Sequence, residues 1–294
     1  QRQMCIRDRK EGLLIQAVFD RVKKLQGVLC SFANIDPVAF YIPVPVIGWW
    51  PVYWYGISWL VAILGVNFAA KRIGKVSRRL SPAQAEDYLT YGILGAILGG
   101  RIGYMVFYAP DQLIYDPLSI IRIWEGGLSF HGGLIGVLLS FYLFGRKFNL
   151  KFSDVMEHYA ICFPIGLGSV RVGNFMGGEL LGRPTEVSWG VIFSNDPEGL
   201  LRHPSQLYQA FSEGFILFIL LYLFAQTNPP RWSIAGLFLS GYAVVRIFTE
   251  NFRTPDAHIG FDLLEIFTRG QLLSLPMLII GISLMIFAYR KKPS

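Results

Sequence analysis

Arginine and glutamate side chains lie within or at the ends of apolar segments of this chain, where a charge requires a specific role. Arg171 closes an apolar run that begins near Asp154, and Arg246 precedes Glu250 by one helical turn in another apolar run. An arginine at the centre of a bilayer costs roughly 2.5–3.5 kcal/mol on insertion scales, so such residues usually face a bundle interior or a polar cavity. The planar guanidinium suits phosphate, and the pattern therefore indicates a site for an anionic ligand.

Further polar residues are expected at the same depth, provided that consecutive apolar segments cross the membrane in alternating directions. These residues are Tyr55, Arg101, His131, Asn174 and Tyr242. The simpler alternative is that pairs such as Arg246 with Glu250 stabilise single helices, but such pairs do not account for three arginines with few acids nearby. For His131 a second alternative stays open, because an imidazole at a membrane boundary is also typical of an ordinary interfacial group.

The composition indicates a membrane protein. Hydrophobic residues make up 53% of the 294 residues, charged residues make up only 16%, and the mean hydropathy is +0.43, which no soluble domain resembles. Seven apolar windows are long enough to cross ~30 Å of hydrocarbon as helices. They are Val52–Ala70, Tyr88–Tyr108, Gly127–Gly145, Asp154–Phe175, Leu207–Ala225, Ile234–Asn251 and Leu272–Tyr289. The sequence predicts an all-α fold, namely a polytopic membrane protein with seven transmembrane helices in one domain.

Basic residues alternate between the connections, which predicts the orientation of the chain. They collect after the first, third, fifth and seventh windows, at Lys71–Arg79, Arg146–Lys151, Arg231 and Arg290–Lys292. Short basic loops stay in the cytoplasm, so these connections and the C-terminus are expected inside, with the polar residues above toward the outer surface. The net charge of +7 is explained by this topology, and no separate basic patch with exposed aromatics predicts a nucleic-acid partner.

The connection at about residues 176–206 is predicted to form a small ordered cap on the outer side. Its first half, Gly177–Thr185, is rich in turn residues, and Trp189–Phe193 alternates as a short strand would. His203 precedes Pro204 at the start of the next apolar window, where a structural role is the simpler alternative to acid–base chemistry.

Neither the cysteines nor the N-terminus adds a motif. The three cysteines are too few and too unevenly spaced for a disulfide framework, and no cluster predicts a metal or a cofactor. Residues 1–30 are polar and lack the apolar core and cleavage site of a signal peptide. We expect a domain at residues 31–294 and an N-terminal extension outside it, either a remnant of cloning or sequence assembly or a genuine extramembrane segment.

Four runs of sequence, taken in order, resemble the bacterial prolipoprotein diacylglyceryl transferases. They are Ser129–Gly136, Arg171–Thr185, Arg202–Tyr208 and Gly241–Asp256, within a similarity that extends from about Phe32 to Tyr289. The resemblance implies a multi-pass enzyme of the bacterial inner membrane with its active site toward the periplasm. Its substrates would be phosphatidylglycerol, a membrane lipid, and a prolipoprotein whose signal peptide carries a lipobox cysteine.

The resemblance also implies which residues form the site. Those at the family's functional positions are Tyr55, His131, Arg171, Asn174, Glu179, Gly182, Tyr242, Arg246 and Glu250. We expect His131, Arg171 and Arg246 to be catalytic, because the arginines would stabilise a departing phosphate and the histidine would deprotonate a thiol. The other six residues, together with Arg101, are expected to bind substrate.

Two other functional classes remain open. A transporter or channel also uses intramembrane arginines, although this chain shows no internal repeat and no paired broken helices. A lipid-binding scaffold would need the arginines but neither His131 nor an ordered cap. Turnover of phosphatidylglycerol distinguishes an enzyme from both.

Overall fold

The computed structural model describes residues 35–45, 48–77, 80–255 and 267–290, which are predominantly helical. The α-helices are α1 (Trp54–Ser77), α2 (Pro82–Phe107), α3 (Pro110–Tyr115), α4 (Phe130–Lys147), α5 (Phe152–Met176), α6 (Ser205–Gln209), α7 (Leu217–Gln226), α8 (Ser233–Thr249) and α9 (Arg269–Arg290). A π-helical turn, Ala210–Ile216, joins α6 to α7, and short 3-10 turns cover Pro117–Ile121, Ile123–Glu125 and Glu250–Phe252. The expected extension at residues 1–30 lies outside the described residues.

Five helical segments of the described chain are long and apolar enough to cross a membrane. They are Trp54–Ile73, Ala83–Phe107, Ser205–Gln226, Ser233–Phe252 and Arg269–Arg290. Helices α4 and α5 occupy the two remaining predicted windows but do not meet the same criterion. Both contain polar side chains, such as His131 and Lys147 in α4 and Asp154 and Arg171 in α5. The prediction of a helical, multi-span membrane protein is confirmed, whereas the count of seven spans stays a prediction.

The all-α prediction is incomplete, because the described residues also contain two small antiparallel sheets. Strands β1 (Val38–Val44) and β2 (Gly48–Tyr53) form a hairpin that runs directly into α1. The first apolar window, which begins at Val52, therefore combines the end of a strand with a helix. Proline and aromatic residues fill this hairpin, and they do not show the alternation of apolar and polar residues that indicates a half-buried strand.

The second sheet lies between α5 and α6, where the cap was predicted. Strands β3 (Val191–Ile192) and β4 (Leu201–Arg202) pair antiparallel, so the strand expected at Trp189–Phe193 is confirmed in a shorter form. Val191 and Phe193 are buried, and Phe175 and Leu181 pack against them. This small apolar core makes the segment an ordered structure.

The chain divides into two compact units. The first contains the described parts of Gln1–Ala62, Gly166–Ile216 and Tyr242–Met277, and the second contains those of Ile63–Ile165, Leu217–Gly241 and Leu278–Ser294. Within the second unit α2 packs closely on α4. A Cβ added at Gly103 would lie 2.7 Å from the Gly132 Cα, and one at Gly95 would lie 2.6 Å from the Gly136 oxygen. These glycines are therefore required for close packing between two helices.

Candidate active site

Two of the predicted arginines of the first unit converge on one buried carboxylate. The Nε of Arg171 on α5 lies 3.4 Å from Oε2 of Glu213, and Nη1 of Arg246 on α8 lies 3.6 Å from Oε1 of the same group. Arg246 also places Nη2 3.0 Å from Oε2 of Glu250, one helical turn away. A further arginine, Arg253, lies 3.6 Å from Oε1 of Glu250. We call these five residues the arginine cluster.

Glu213 is, with Arg253, a member of the arginine cluster that the sequence did not single out. It lies in the π-helical turn with none of its side chain exposed, and π-helical turns inside α-helices often mark functional sites. The expectation that the arginines have few acids nearby is wrong, because the buried Glu213 lies against both Arg171 and Arg246. A glutamate inside the apolar window Leu207–Ala225 was the available signal. Three guanidinium groups against two carboxylates still leave the arginine cluster with a net charge of +1.

Glycine explains how Arg171 reaches Glu213. Gly168 precedes Arg171 by one turn, and a Cβ added there would lie 3.1 Å from the Gly214 Cα and 3.3 Å from the Ala210 carbonyl oxygen. Helix α5 therefore lies directly against the π-helical turn, backbone to backbone. The small residues on both sides allow the arginine and the glutamate to meet in a buried position.

Asn174 and Glu179 form one hydrogen-bonded group at the end of α5. The Asn174 Nδ2 donates to Oε2 of Glu179 at 2.9 Å, and the Glu179 amide donates to the Asn174 carbonyl at 2.8 Å. Gln206 on α6 donates from Nε2 to the Glu179 carbonyl at 2.6 Å. These bonds link the segment after α5 to the helix that carries Glu213.

Gly182 lies where no other residue fits. A Cβ at this position would overlap the backbone carbonyl of His203. Its own carbonyl accepts hydrogen bonds from Oγ1 of Thr254 at 2.9 Å and from Nη1 of Arg202 at 3.2 Å. Gly182 thus joins the cap segment to the chain that follows α8.

Arg202 holds the cap segment together through a buried ion pair. Its Nε and Nη2 donate to the two carboxylate oxygens of Asp196 at 2.7 and 3.0 Å, and Nη2 also donates to Glu198. These hydrogen bonds hold the pKa of Asp196 below its ordinary value. His203 lies 3.2 Å from the Tyr208 hydroxyl through Nδ1, and burial lowers the pKa of this imidazole.

The two tyrosines belong to the first unit as well. Tyr242 precedes Arg246 by one turn on α8, and its hydroxyl lies within electrostatic range of Glu213, Arg171 and Arg246. Tyr55 opens α1 with an exposed ring set edge-on to Trp59.

Helix α1 and helix α5 make close contacts beside the position of Arg171. Oγ of Ser169 donates to the Ser58 carbonyl at 2.7 Å. A Cβ added at Gly173 would overlap the Ser58 hydroxyl and lie 3.5 Å from the Tyr55 Cα. Tyr55 and Arg171 are therefore held on neighbouring parts of the first unit.

Arg101 and His131 belong to the second unit. The Arg101 guanidinium donates to four backbone carbonyls: Nη2 to Ser119 at 2.5 Å, Nε to Ile120 at 3.3 Å, and Nη1 to Gly126 and Gly127. It is buried and holds the connection between α2 and α4. His131 lies in the first turn of α4 with its ring exposed and edge-on to Phe130. Arg101 therefore has a structural role in holding this connection, which was not predicted from the sequence.

The described residues contain no group of three or more His, Cys, Asp or Glu side chains that could hold a metal ion. Five apolar helical segments and a buried cluster of arginines and glutamates define the class, a polytopic membrane protein with a net positive buried site.

Comparison with known proteins identifies the family. Residues 37–287 match the model of the family described as prolipoprotein diacylglyceryl transferase. Three proteins named phosphatidylglycerol–prolipoprotein diacylglyceryl transferase are similar to this chain. One from Marinomonas sp. (strain MWYL1) is 48% identical over 257 residues, which cover 87% of this chain and 94% of that protein. One from Methylococcus capsulatus is 42% identical over 266 residues (90% and 99%), and one from Acinetobacter baylyi is 42% identical over 267 residues (90% and 96%). The chain belongs to the prolipoprotein diacylglyceryl transferase family.

Proposed function

We propose that this protein transfers the diacylglyceryl group of phosphatidylglycerol to the lipobox cysteine thiol of a prolipoprotein, the first step of bacterial lipoprotein maturation. The observation that carries the proposal is the convergence of Arg171 and Arg246 on the buried Glu213, in a chain that matches the family over residues 37–287. Both arginines were expected at the phosphate from the sequence. The net charge of the arginine cluster suits the single negative charge of a phosphodiester.

The reaction explains why arginines are needed. The thiolate attacks the lipid glycerol carbon that bears the phosphodiester, a carbon–sulfur bond forms, and the carbon–oxygen bond breaks. Glycerol phosphate leaves with the bonding electron pair and gains negative charge. Guanidinium groups aimed at that phosphate stabilise the transition state more than the ground state, which raises the rate.

The carboxylates of the arginine cluster hold the cations in position. Glu213 engages Nε of Arg171 and Nη1 of Arg246, so each arginine keeps other N–H groups for a ligand. Glu250 orients Arg246 from the opposite side. In this assignment the lipid headgroup is surrounded by Asn174, Glu179, Tyr242 and Tyr55. Gly182 and Arg101 instead hold neighbouring segments of the backbone in place.

His131 is the proposed base that removes the thiol proton. A thiol with a pKa near ~8.5 is only partly ionised at neutral pH, so a base increases the fraction of thiolate. The exposed position of His131 in the first turn of α4 suits a group that meets a substrate. The family resemblance at Ser129–Gly136 supports the same assignment.

We further propose that the protein crosses the bacterial inner membrane seven times, with a periplasmic cap and a cytoplasmic C-terminus. The basic residues of alternate connections support this orientation, since short basic loops stay in the cytoplasm. The seven predicted windows all fall mostly on helical segments, and five of these segments have the length and apolar character of spans. In this orientation the cap at about residues 176–206 meets precursors after export.

A transfer assay tests the proposed function. Purified protein in vesicles receives phosphatidylglycerol, labelled separately in an acyl chain and in the headgroup glycerol, and a peptide with a lipobox cysteine. We expect the acyl label on the peptide as a thioether and the glycerol label in free glycerol phosphate. A peptide with serine in place of cysteine is the matched control. Binding or movement of the lipid without labelled peptide would contradict the proposal and favour the scaffold or the transporter.

A further inference from the structure

One face of the helix that carries Glu213 is lined by three buried polar side chains. Gln206, Gln209 and Glu213 are spaced three and four residues apart, so they lie one above another on one side of the helix. Their exposed fractions are 0%, 1% and 0%. This row continues from the arginine cluster at Glu213 toward the cap segment at Gln206.

The middle residue of the row has no hydrogen-bond partner among the described residues. Neither Oε1 nor Nε2 of Gln209 makes a hydrogen bond, and Oε1 of Gln206 makes none either. The large majority of buried side-chain polar atoms in proteins are hydrogen-bonded, because burying one without a partner costs about 1–3 kcal/mol. A buried amide with both ends unmatched, next to the unmatched Oε1 of Gln206, therefore points to a polar ligand.

The neighbours of Gln209 on this face both contact predicted site residues. Gln206 donates to the carbonyl of Glu179, and Glu213 lies against Arg171 and Arg246. Gln209 thus stands between the group that orients Asn174 and the arginines proposed to hold phosphate. Gln209 precedes Glu213 by about one turn of helix, so a ligand bound at the arginines would extend along the row by the length of a small polar headgroup.

We propose that Gln209, assisted by Gln206, binds the headgroup hydroxyls of phosphatidylglycerol and thereby selects this lipid. This inference rests on the proposed function and deepens it. A hydroxyl both donates and accepts a hydrogen bond, and a carboxamide offers one acceptor and one donor group for the pair of hydroxyls in the headgroup. A headgroup without hydroxyls leaves the buried amide unmatched, so its lipid is disfavoured.

The test compares two donor lipids in the transfer assay. Phosphatidylglycerol and phosphatidylpropanol share acyl chains and phosphodiester charge, but the second lacks both headgroup hydroxyls. We expect the wild-type protein to prefer phosphatidylglycerol by roughly 10-fold in kcat/KM, the effect of one or two ordinary hydrogen bonds. Gln209→Met keeps the side-chain volume. In this variant the ratio of kcat/KM with phosphatidylglycerol to kcat/KM with phosphatidylpropanol should fall to about 1, because only the activity with phosphatidylglycerol is lost.

Gln271→Met is the matched control. Gln271 is also a buried glutamine of the first unit, but its Nε2 donates to the Ile247 carbonyl at 3.3 Å. Its replacement should change the rates with both lipids equally and leave the ratio at the wild-type value. If Gln209→Met does not fold, Gln209→Asn provides the same comparison, because the shortened amide should lower the ratio.

The outcomes separate this inference from the proposed function. A wild-type ratio in Gln209→Met or Gln209→Asn would refute the role of Gln209 while the transfer reaction stands. A wild-type protein without preference for either lipid would refute it too. Wild-type protein that transfers from neither lipid contradicts the proposed function itself.

Discussion

Replacing Arg171 by alanine separates the catalytic role of the arginine from its structural one. The substitution removes a guanidinium from a buried pair, and removing one partner of such a pair ordinarily costs about 3–5 kcal/mol because the other charge stays buried. Here Glu213 keeps Arg246 at 3.6 Å, and the lost contact, at 3.4 Å, is longer than the 2.7–2.9 Å typical of charge-assisted hydrogen bonds. We therefore expect Arg171→Ala to lose about 2 kcal/mol of stability, less than the ordinary range.

The effect on transfer should be larger and should not follow stability. Loss of one preorganised donor to a developing oxyanion costs about 2.7–4 kcal/mol, or on the order of 10²–10³ in rate. The double variant Arg171→Ala/Glu213→Gln removes the stranded carboxylate charge, and Glu250 still pairs with Arg246. This variant should regain most of the stability and none of the activity.

The assay is thioether formation on the lipobox peptide, measured beside thermal unfolding of the same preparations. Lys71→Ala is the matched control, since Lys71 pairs with Glu86 and both side chains are exposed, by 39% and 56%. An exposed pair contributes only about 0–1 kcal/mol, so stability and activity should both stay near wild type. Recovery of activity together with stability in the double variant would refute a direct contact between Arg171 and the phosphate.

Three further predictions concern other parts of the molecule. Gly182→Ala should lower both stability and transfer, because a Cβ there overlaps the His203 carbonyl, and thermal unfolding with the transfer assay checks this. His131→Gln should reduce transfer more at neutral pH than at pH ~9, because hydroxide then ionises the thiol without a base, as a pH–rate profile will show. Arg202 holds the pKa of Asp196 below its ordinary value, so the pair stabilises the fold above about pH 4 and loses that contribution as the pH falls further. Asp196→Asn should therefore lower the melting temperature clearly at pH 7 and much less near pH 3.

Each of these predictions has a contradicting outcome. Gly182→Ala with the wild-type melting temperature would show that the backbone at His203 moves aside without loss. A His131→Gln defect of the same size at every pH would remove histidine as the base. An equal loss of stability at both pH values in Asp196→Asn would show that the pair does not stabilise the fold through the charge of Asp196.

Much of the helical fold follows from hydropathy alone. Every predicted window falls mostly on helical residues, because about twenty apolar residues in succession have few other stable arrangements. The hairpin of β1 and β2 was not predicted, because its residues do not alternate between apolar and polar as those of a half-buried strand do. The small sheet of the cap was only partly predicted, because strands of two residues are too short to show an alternating pattern.

Sequence reasoning placed Arg171, Arg246 and Glu250 in the candidate site but did not include Glu213. Arg171 and Arg246 stood out because a charge in an apolar run is costly. Glu213 carries the same signal but shows its meaning only when the π-helical turn places it against two other helices. The backbone carbonyls that accept hydrogen bonds from Arg101 could not be predicted either, because every residue has a carbonyl whatever its side chain.

The most direct test of the central claim is an experimental structure with phosphatidylglycerol bound and no acceptor peptide. The account predicts phosphate oxygens at about 2.7–2.9 Å from guanidinium nitrogens of both Arg171 and Arg246, with Glu213 still between the two side chains. A phosphate bound elsewhere would contradict the account, with Arg171 still paired only to Glu213 and Arg246 only to Glu213 and Glu250.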